Sequence, residues 1–183
     1  ATYVFGRDGE EWTERGILFD GETATEDGFG GAVAISGSTA IVGAQQDDDA
    51  GSNAGAVYIF VRRGTDWIQR AKLTPNDTTA GDLFGCAVAL SGNIAAIGAC
   101  GDDDAGAEAG SVYIFVSDGI NWMQQAKLIA NDTGMFDHFG ASVSIDGNSV
   151  IVGAHGRDDA GSDSGAAYVF VSVVTVAELY EKR

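Results

Sequence analysis

The chain has a single proline, two cysteines, two histidines and two methionines in 183 residues. Basic residues are scarce as well, with 10 Lys and Arg against 27 Asp and Glu, a formal net charge of −17. Each shortage excludes something. Two cysteines cannot build a disulfide scaffold, so a packed core must supply most of the stability. Two isolated histidines, His138 and His155, do not make a multi-histidine metal centre. A strongly acidic surface repels phosphate backbones and anionic headgroups, which argues against nucleic acid and the membrane surface as partners and favours cations or basic protein patches. No run approaches the roughly 20 apolar residues of a membrane span. A nucleophile elbow, a phosphate loop, a Cys-x-x-Cys pair and a His-Glu-x-x-His pattern are all missing, so no enzymatic activity is expected.

What the chain does have is apolar residues at 45%, 27 glycines, and a repeat. Trp12, Trp67 and Trp122 recur every 55 residues; Phe29, Phe84 and Phe139 keep the same interval, as do Tyr3, Tyr58, Tyr113 and Tyr168. A fixed period of this length marks supersecondary units that bury their apolar surface only against neighbours. The opening Ala1-Thr2-Tyr3-Val4-Phe5 matches the middle of a unit, Ala56 to Phe60, so a processed or truncated beginning is expected rather than a translation start.

Four short β-type runs recur in each unit. In one unit they are Ala87–Leu90, Ile94–Ala99, Ser111–Val116 and Trp122–Leu128, each rich in β-branched or aromatic residues. Ser91-Gly92-Asn93 joins the first two, matched by Ser36-Gly37-Ser38 and Asp146-Gly147-Asn148; glycine beside Ser, Asn or Asp suits a tight hairpin. In the third run Tyr113 and Phe115 face one way while Val112, Ile114 and Val116 face the other. Both sides are apolar, so the sheet must be covered on both faces. The first run carries only small residues on one face, as in Ala87 and Ala89. These patterns predict an all-β fold of β-propeller blades, four antiparallel strands each and radially repeated, with a linear stack of sheets as the alternative.

Each unit places Phe-Gly before its first strand (Phe29-Gly30, Phe84-Gly85, Phe139-Gly140) and Gly-Ala at the end of its second (Gly43-Ala44, Gly98-Ala99, Gly153-Ala154). With the acidic loop, the Tyr-x-Phe strand and the Trp strand, this resembles the FG-GAP repeat family over residues 1 to about 171. The resemblance implies the propeller blades of integrin α-subunits and of many extracellular proteins. One departure is that the proline expected after Gly-Ala is Gln45, Cys100 or His155 here.

The phase gives a partial blade at 1–20, blades at about 21–75 and 76–130, a partial blade at 131–171 and a tail at 172–183. That is thirteen strands and about three blades, an open arc unless further chain or partners complete it. Copies of itself or other subunits are therefore expected partners. In the tail, the β-branched run Ser172–Val176 reads as an outer strand closing the last blade or as a strand added to another subunit. Ala177–Arg183 is helix-compatible but too short to be stable alone.

Several residues are site candidates. Asp47, Asp48 and Asp49, Asp102, Asp103 and Asp104, and Arg157, Asp158 and Asp159 stand in equivalent glycine-bearing loops, where carboxylates could offer oxygens to Ca²⁺. The integrin-type calcium loop is absent from its usual place, and solvated or backbone-capping turns are the competing reading. Asp27, Asp82 and Asp137, two residues before each phenylalanine, are expected to fix the turn between blades. Cys86 and Cys100 fall in one unit, where folding the hairpin at Gly92 brings the ends of its two strands together, and direct contact, as a disulfide, is expected, with two unrelated buried thiols as the alternative. Asn76-Asp77-Thr78 and Asn131-Asp132-Thr133 are glycosylation sequons that, with oxidised cysteines, tilt the location towards the cell surface, the matrix or another secretory compartment. The three tryptophans read as packing between blades, or as platforms for a glycan. The leading expectation is a non-enzymatic extracellular structural or protein-interaction module. Its alternatives are a carbohydrate-binding propeller and a building block of a filament or large complex.

Overall fold

The computed structural model describes residues 1–19 and 25–174. Residues 175–183 lie outside the described residues; of the expected outer strand Ser172–Val176, residues 172–174 are described and do not form a strand, Ser172 taking a positive φ of 56° just after Val171. Thirteen strands are described: β1 (Thr2–Asp8), β2 (Glu11–Leu18), β3 (Ala32–Ser36), β4 (Thr39–Ala44), β5 (Ala56–Arg63), β6 (Asp66–Leu73), β7 (Phe84–Ser91), β8 (Ile94–Ala99), β9 (Ser111–Ser117), β10 (Trp122–Leu128), β11 (Phe139–Asp146), β12 (Ser149–Ala154) and β13 (Ala166–Val171). They form four antiparallel meanders of two, four, four and three strands, each in sequence order. Short local connections explain that order. Gly37, Gly92 and Gly147 all take a positive φ between the first and second strands, as the hairpin turns require.

Two differences from the expected strands have local causes. In the second and third units the first strand starts at the Phe-Gly pair, three residues earlier than its hydrophobic run. Phe84 pairs with Ala99 and Ala87 with Gly98, so Gly85 and Cys86 form an irregular step; Phe139 and Ser142 repeat it. The third and fourth strands also slip by a residue in each complete pair, opposite Arg15, Arg70 and Gln125.

Stacking of sheet on sheet makes the core. Ile41, Val57, Ile59 and Leu73 of the second sheet meet Phe84, Ala95, Ile97, Tyr113 and Phe115 of the third. On its other face the third sheet presents Ala96, Val112 and Ile114 to Phe139, Val150, Val152, Tyr168 and Phe170 of the fourth. Leu18 and Val4 of the first sheet cover Val42, Tyr58 and Phe60. The two faces of the Tyr-x-Phe strand thus belong to two different cores, as its doubly apolar pattern requires. Burying one side chain such as Tyr113 or Ile114, both 0% exposed, contributes about 1.5–3 kcal/mol that an isolated sheet would forgo.

The seam between sheets admits no Cβ at several glycines. A Cβ on Gly98 would overlap the Gly140 carbonyl of the next sheet, and one on Gly43 would overlap the Gly85 carbonyl. The Gly of Gly-Ala is therefore small because the Gly of the following Phe-Gly lies against it. Above that contact each phenylalanine stands edge-on to the tyrosine of its own sheet, with ring centroids 5.4 Å apart for Phe29–Tyr58, 5.6 Å for Phe84–Tyr113 and 5.4 Å for Phe139–Tyr168.

At the ends the stacking stops. Tyr3, Phe5 and Trp12 of the first sheet are 56%, 54% and 67% exposed, and Ile151, Val169 and Val171 of the last are 47%, 67% and 71% exposed. Trp67 and Trp122 each pack partly buried against an inter-sheet cluster. Trp12 departs from the expected packing because no described sheet lies behind β1–β2.

Candidate functional site

The loops between the second and third strands carry the charge. Each leaves its strand through a tight turn: Asp47 N–H donates to Ala44 O at 3.1 Å and Asp102 N–H to Ala99 O at 3.2 Å. Each returns where Gly55, Gly110 or Gly165 donates to the carbonyl of residue 47, 102 or 157, at 2.9 Å in all three. Between these points the chain turns through Gly51, Gly106 and Gly161, whose N–H groups bond Asp48, Asp103 and Asp158 carbonyls. The loops also buckle one sheet to the next. Leu83 and Phe84 donate to Asn53 and Ala54 carbonyls, and His138 and Phe139 to those of Glu108 and Ala109. Leu83 and His138 take positive φ values of 56° and 51° to make these bonds.

The first carboxylate of each triplet points inward and the other two outward. Asp47 and Asp102 are buried. Asp47 accepts the Tyr58 hydroxyl at 2.7 Å and the Lys72 ammonium at 2.8 Å; Asp102 accepts Ser111 at 2.9 Å, Tyr113 at 3.0 Å and Lys127 at 2.7 Å. Each lysine also reaches the third acid, Asp49 at 2.5 Å or Asp104 at 2.6 Å, and Lys127 reaches Asp77 at 3.2 Å. Both ammonium groups lie over the tyrosine ring, at 5.2 and 5.1 Å. Burial works to raise the Asp47 carboxyl, but the bonds from Lys72 and Tyr58 outweigh it and hold the group below its ordinary value. Burial likewise opposes the charge of Lys72 and Lys127, and their carboxylate partners more than compensate, pushing both upward.

The third loop reaches the same balance by exchange. Arg157 occupies the position of Asp47 and Asp102 and bonds Asp159 at 2.7 Å, Asp137 at 3.1 Å and Asp132 at 3.4 Å. The cation comes from the loop itself, where the first two loops draw it from a fourth strand. Lys72 and Lys127 carry the same 55-residue signal as the tryptophans, so this clamp was detectable in the repeat.

The calcium expectation meets an obstacle in this arrangement. An ammonium or a guanidinium already takes the oxygens that a cation would need. Among the described residues no group of three or more His, Cys, Asp or Glu side chains is arranged to hold a metal ion. Asp48, Asp49, Asp103, Asp104, Asp158 and Asp159 are instead exposed to solvent, and Asp48 and Asp158 each cap a backbone N–H, of Asn53 at 2.7 Å and Asp163 at 2.8 Å.

The acids before each Phe-Gly are buried and shape the entry to it. Asp82 accepts Thr79 N–H at 2.7 Å and the Thr79 hydroxyl at 3.0 Å; Asp137 accepts Gly134 N–H at 2.7 Å. The carbonyls of Asp27, Asp82 and Asp137 each receive an N–H from the turn after Gly-Ala, those of Gln46, Gly101 and Gly156. Burial pushes the Asp82 carboxyl upward.

The remaining candidates fall in different places. Asn76 and Asn131 are exposed on equivalent turns. Cys86 and Cys100 meet as expected, but as free thiols rather than as a disulfide: Cys100 N–H donates to Cys86 Sγ at 3.2 Å. His138 and His155, just before β11 and just after β12 of the last unit, stack at 5.1 Å between ring centroids, a contact that their irregular repeat positions did not reveal.

No curated protein matches the chain. A family model described as the FG-GAP repeat matches residues 12–60, 67–115 and 122–170, three consecutive units in phase with the tryptophans. The Phe-Gly and Gly-Ala pairs, their seam contact and this match together place the chain in the FG-GAP repeat family, as an all-β arc of propeller blades.

Proposed function

We propose that the chain is a non-enzymatic structural and protein-interaction module that works outside the cytoplasm and contacts a basic protein surface through its acidic loops. One observation carries this reading. Three successive loops present exposed carboxylates at a regular spacing, Asp48, Asp103 and Asp158, each beside a second, Asp49, Asp104 or Asp159, that partly buried Lys72, Lys127 or Arg157 engages, and inter-sheet backbone bonds tie the first two loops to the next sheet. Rigid loops lose little entropy on binding, and an array of one sign steers an oppositely charged partner. The net charge of −17 favours the same class of partner, and the exposed sequon asparagines agree with a secretory location.

The test is affinity capture from a secreted-protein fraction with the wild type and with a variant carrying Asn at all six exposed positions. A salt-sensitive partner retained only by the wild type supports the reading; identical captured sets from both proteins reject it. Secretion from a eukaryotic host with a glycan on Asn76 or Asn131 supports the location, and unmodified asparagines count against it.

A second reading, the building block, has its own observation. Ile151 and Val169 are exposed at repeat positions where Ile41, Ile59 and Ile114 are 0% exposed, so the last sheet offers a face of the kind that accepts the next sheet inside the chain. Concentration-dependent association that vanishes in Val169→Asp supports stacking between copies. A monomer at every concentration removes it.

A further inference from the structure

We propose that Cys86 and Cys100 form an oxidisable dithiol, a reversible modification site that exchanges with small disulfides and staples the loop end of the central unit. The placement is specific to one unit. Equivalent positions hold Gly31 and Ala141, and Gln45 and His155, so no other unit can make the bond. Gly85 and Cys86 form the irregular step at the start of β7, and Cys100 is the first residue beyond β8. That step turns Cys86 Sγ towards the end of the neighbouring strand, where Cys100 N–H donates to it at 3.2 Å. Both cysteines are partly exposed, and they flank the Phe84–Ala99 pair at the open end of one hairpin, the neighbourhood that a disulfide needs.

The surroundings divide the two roles. Cys86 Sγ accepts the Cys100 N–H and lies against the Gly140 carbonyl, whereas Cys100 stands just beyond the end of β8. The neighbouring thiol and burial push Cys86 up, and its neighbour lowers Cys100, so Cys100 is assigned as the attacking sulfur. Its thiolate attacks one sulfur of a small disulfide, forming a mixed disulfide and expelling one thiolate. Cys86 then gives its proton to solvent and attacks the Cys100 sulfur, expelling the second. Two protein thiols lose two electrons and two protons, and the small disulfide gains them to become two thiols. The product would lock the open end of the β7–β8 hairpin beside the inter-sheet seam, where Cys86 Sγ lies 3.7 Å from the Gly140 carbonyl.

The test treats the folded full chain with oxidised glutathione at mild alkaline pH and follows intact mass and linked peptides. The wild type is expected to lose two hydrogens without retaining glutathione, and its thermal midpoint to rise by roughly 5–10 °C. Cys86→Ser is expected to trap one glutathione on Cys100. Cys100→Ser is expected to react far more slowly, and circular dichroism checks that both variants fold. A wild type that stays reduced while Cys86→Ser is modified overturns the proposal. So does a wild type that keeps glutathione on either cysteine, or one that forms the bond only in denaturant.

Discussion

Replacing Lys127 with methionine keeps an aliphatic stem of similar length and removes the ammonium that pairs with Asp102 and lies over the Tyr113 ring. The Asp102 side chain is 3% exposed and that of Lys127 19%, so the pair is close to the buried limit without reaching it. Removing one partner of a fully buried pair costs about 3–5 kcal/mol. With the ammonium partly solvated and with Ser111 and Tyr113 still donating to Asp102, about 2–3 kcal/mol is expected. In a domain of this size that lowers the thermal midpoint by roughly 5–10 °C. Adding Asp102→Asn to Lys127→Met should recover part of the loss, a coupling of about 1–2 kcal/mol, because no charge is then stranded. Thermal and urea melts followed by tryptophan fluorescence provide the readout, with Arg63→Met, at an exposed position, as the control. If Lys127→Met costs no more than Arg63→Met, or if the double variant is merely additive, the lysine does not clamp the loop and the account of the acidic loops is wrong.

Four further expectations follow from the same contacts. The depressed Asp47 carboxyl contributes stability that is present above its unfolded value of about 3.9 and lost as pH falls through its lower folded value. The difference in melting temperature between wild type and Lys72→Met should therefore shrink on acidification below about pH 4, and a constant gap would contradict the assignment. Arg157→Asp, which restores the residue of the other two loops, should destabilise the protein by gathering four carboxylates; a rise in melting temperature would refute the exchange of cation between loop and strand. Gly110→Ala should cost about 2–4 kcal/mol in urea melts, since Gly110 has φ +81° and a Cβ there would overlap the Phe139 carbonyl; a loss below 1 kcal/mol would mean the seam is looser than described. A chelator should leave the melting curve unchanged because Lys72, Lys127 and Arg157 already bridge carboxylates in the three loops, and a lowered midpoint would restore calcium.

How much of this could be read from the chain depends on how far apart the interacting residues lie. Strand identity, hairpin turns and the two-sided Tyr-x-Phe strand were legible because their causes are local: alternation, glycine at positive φ and β-branched runs. The seam was legible as a motif but not as a contact. Only the structure shows Gly98 of one unit against Gly140 of the next. The Phe-Gly pair entered the first strand of two units because its backbone irregularity is set by that neighbour, which the hydrophobic run does not encode. The acidic triplets drew attention for their charge, yet the lysine that pairs with the first acid of two of them lies on the fourth strand, 25 residues further along in Asp47–Lys72. Trp12 was misread for the opposite reason. Its own strand is regular, and only the sheet that would cover it is absent from the described residues.

The central claim is that each sheet is held by the sheets on either side, so stability should be greatest in the middle of the arc and fall towards both ends. Native-state hydrogen exchange resolved by residue measures this directly. The account predicts that the amides of Tyr113 and Ile114 on β9 exchange slowest, and that those of β1–β2 and β13 exchange orders of magnitude faster. Equal protection across all four sheets, or a first sheet as protected as the third, would contradict it.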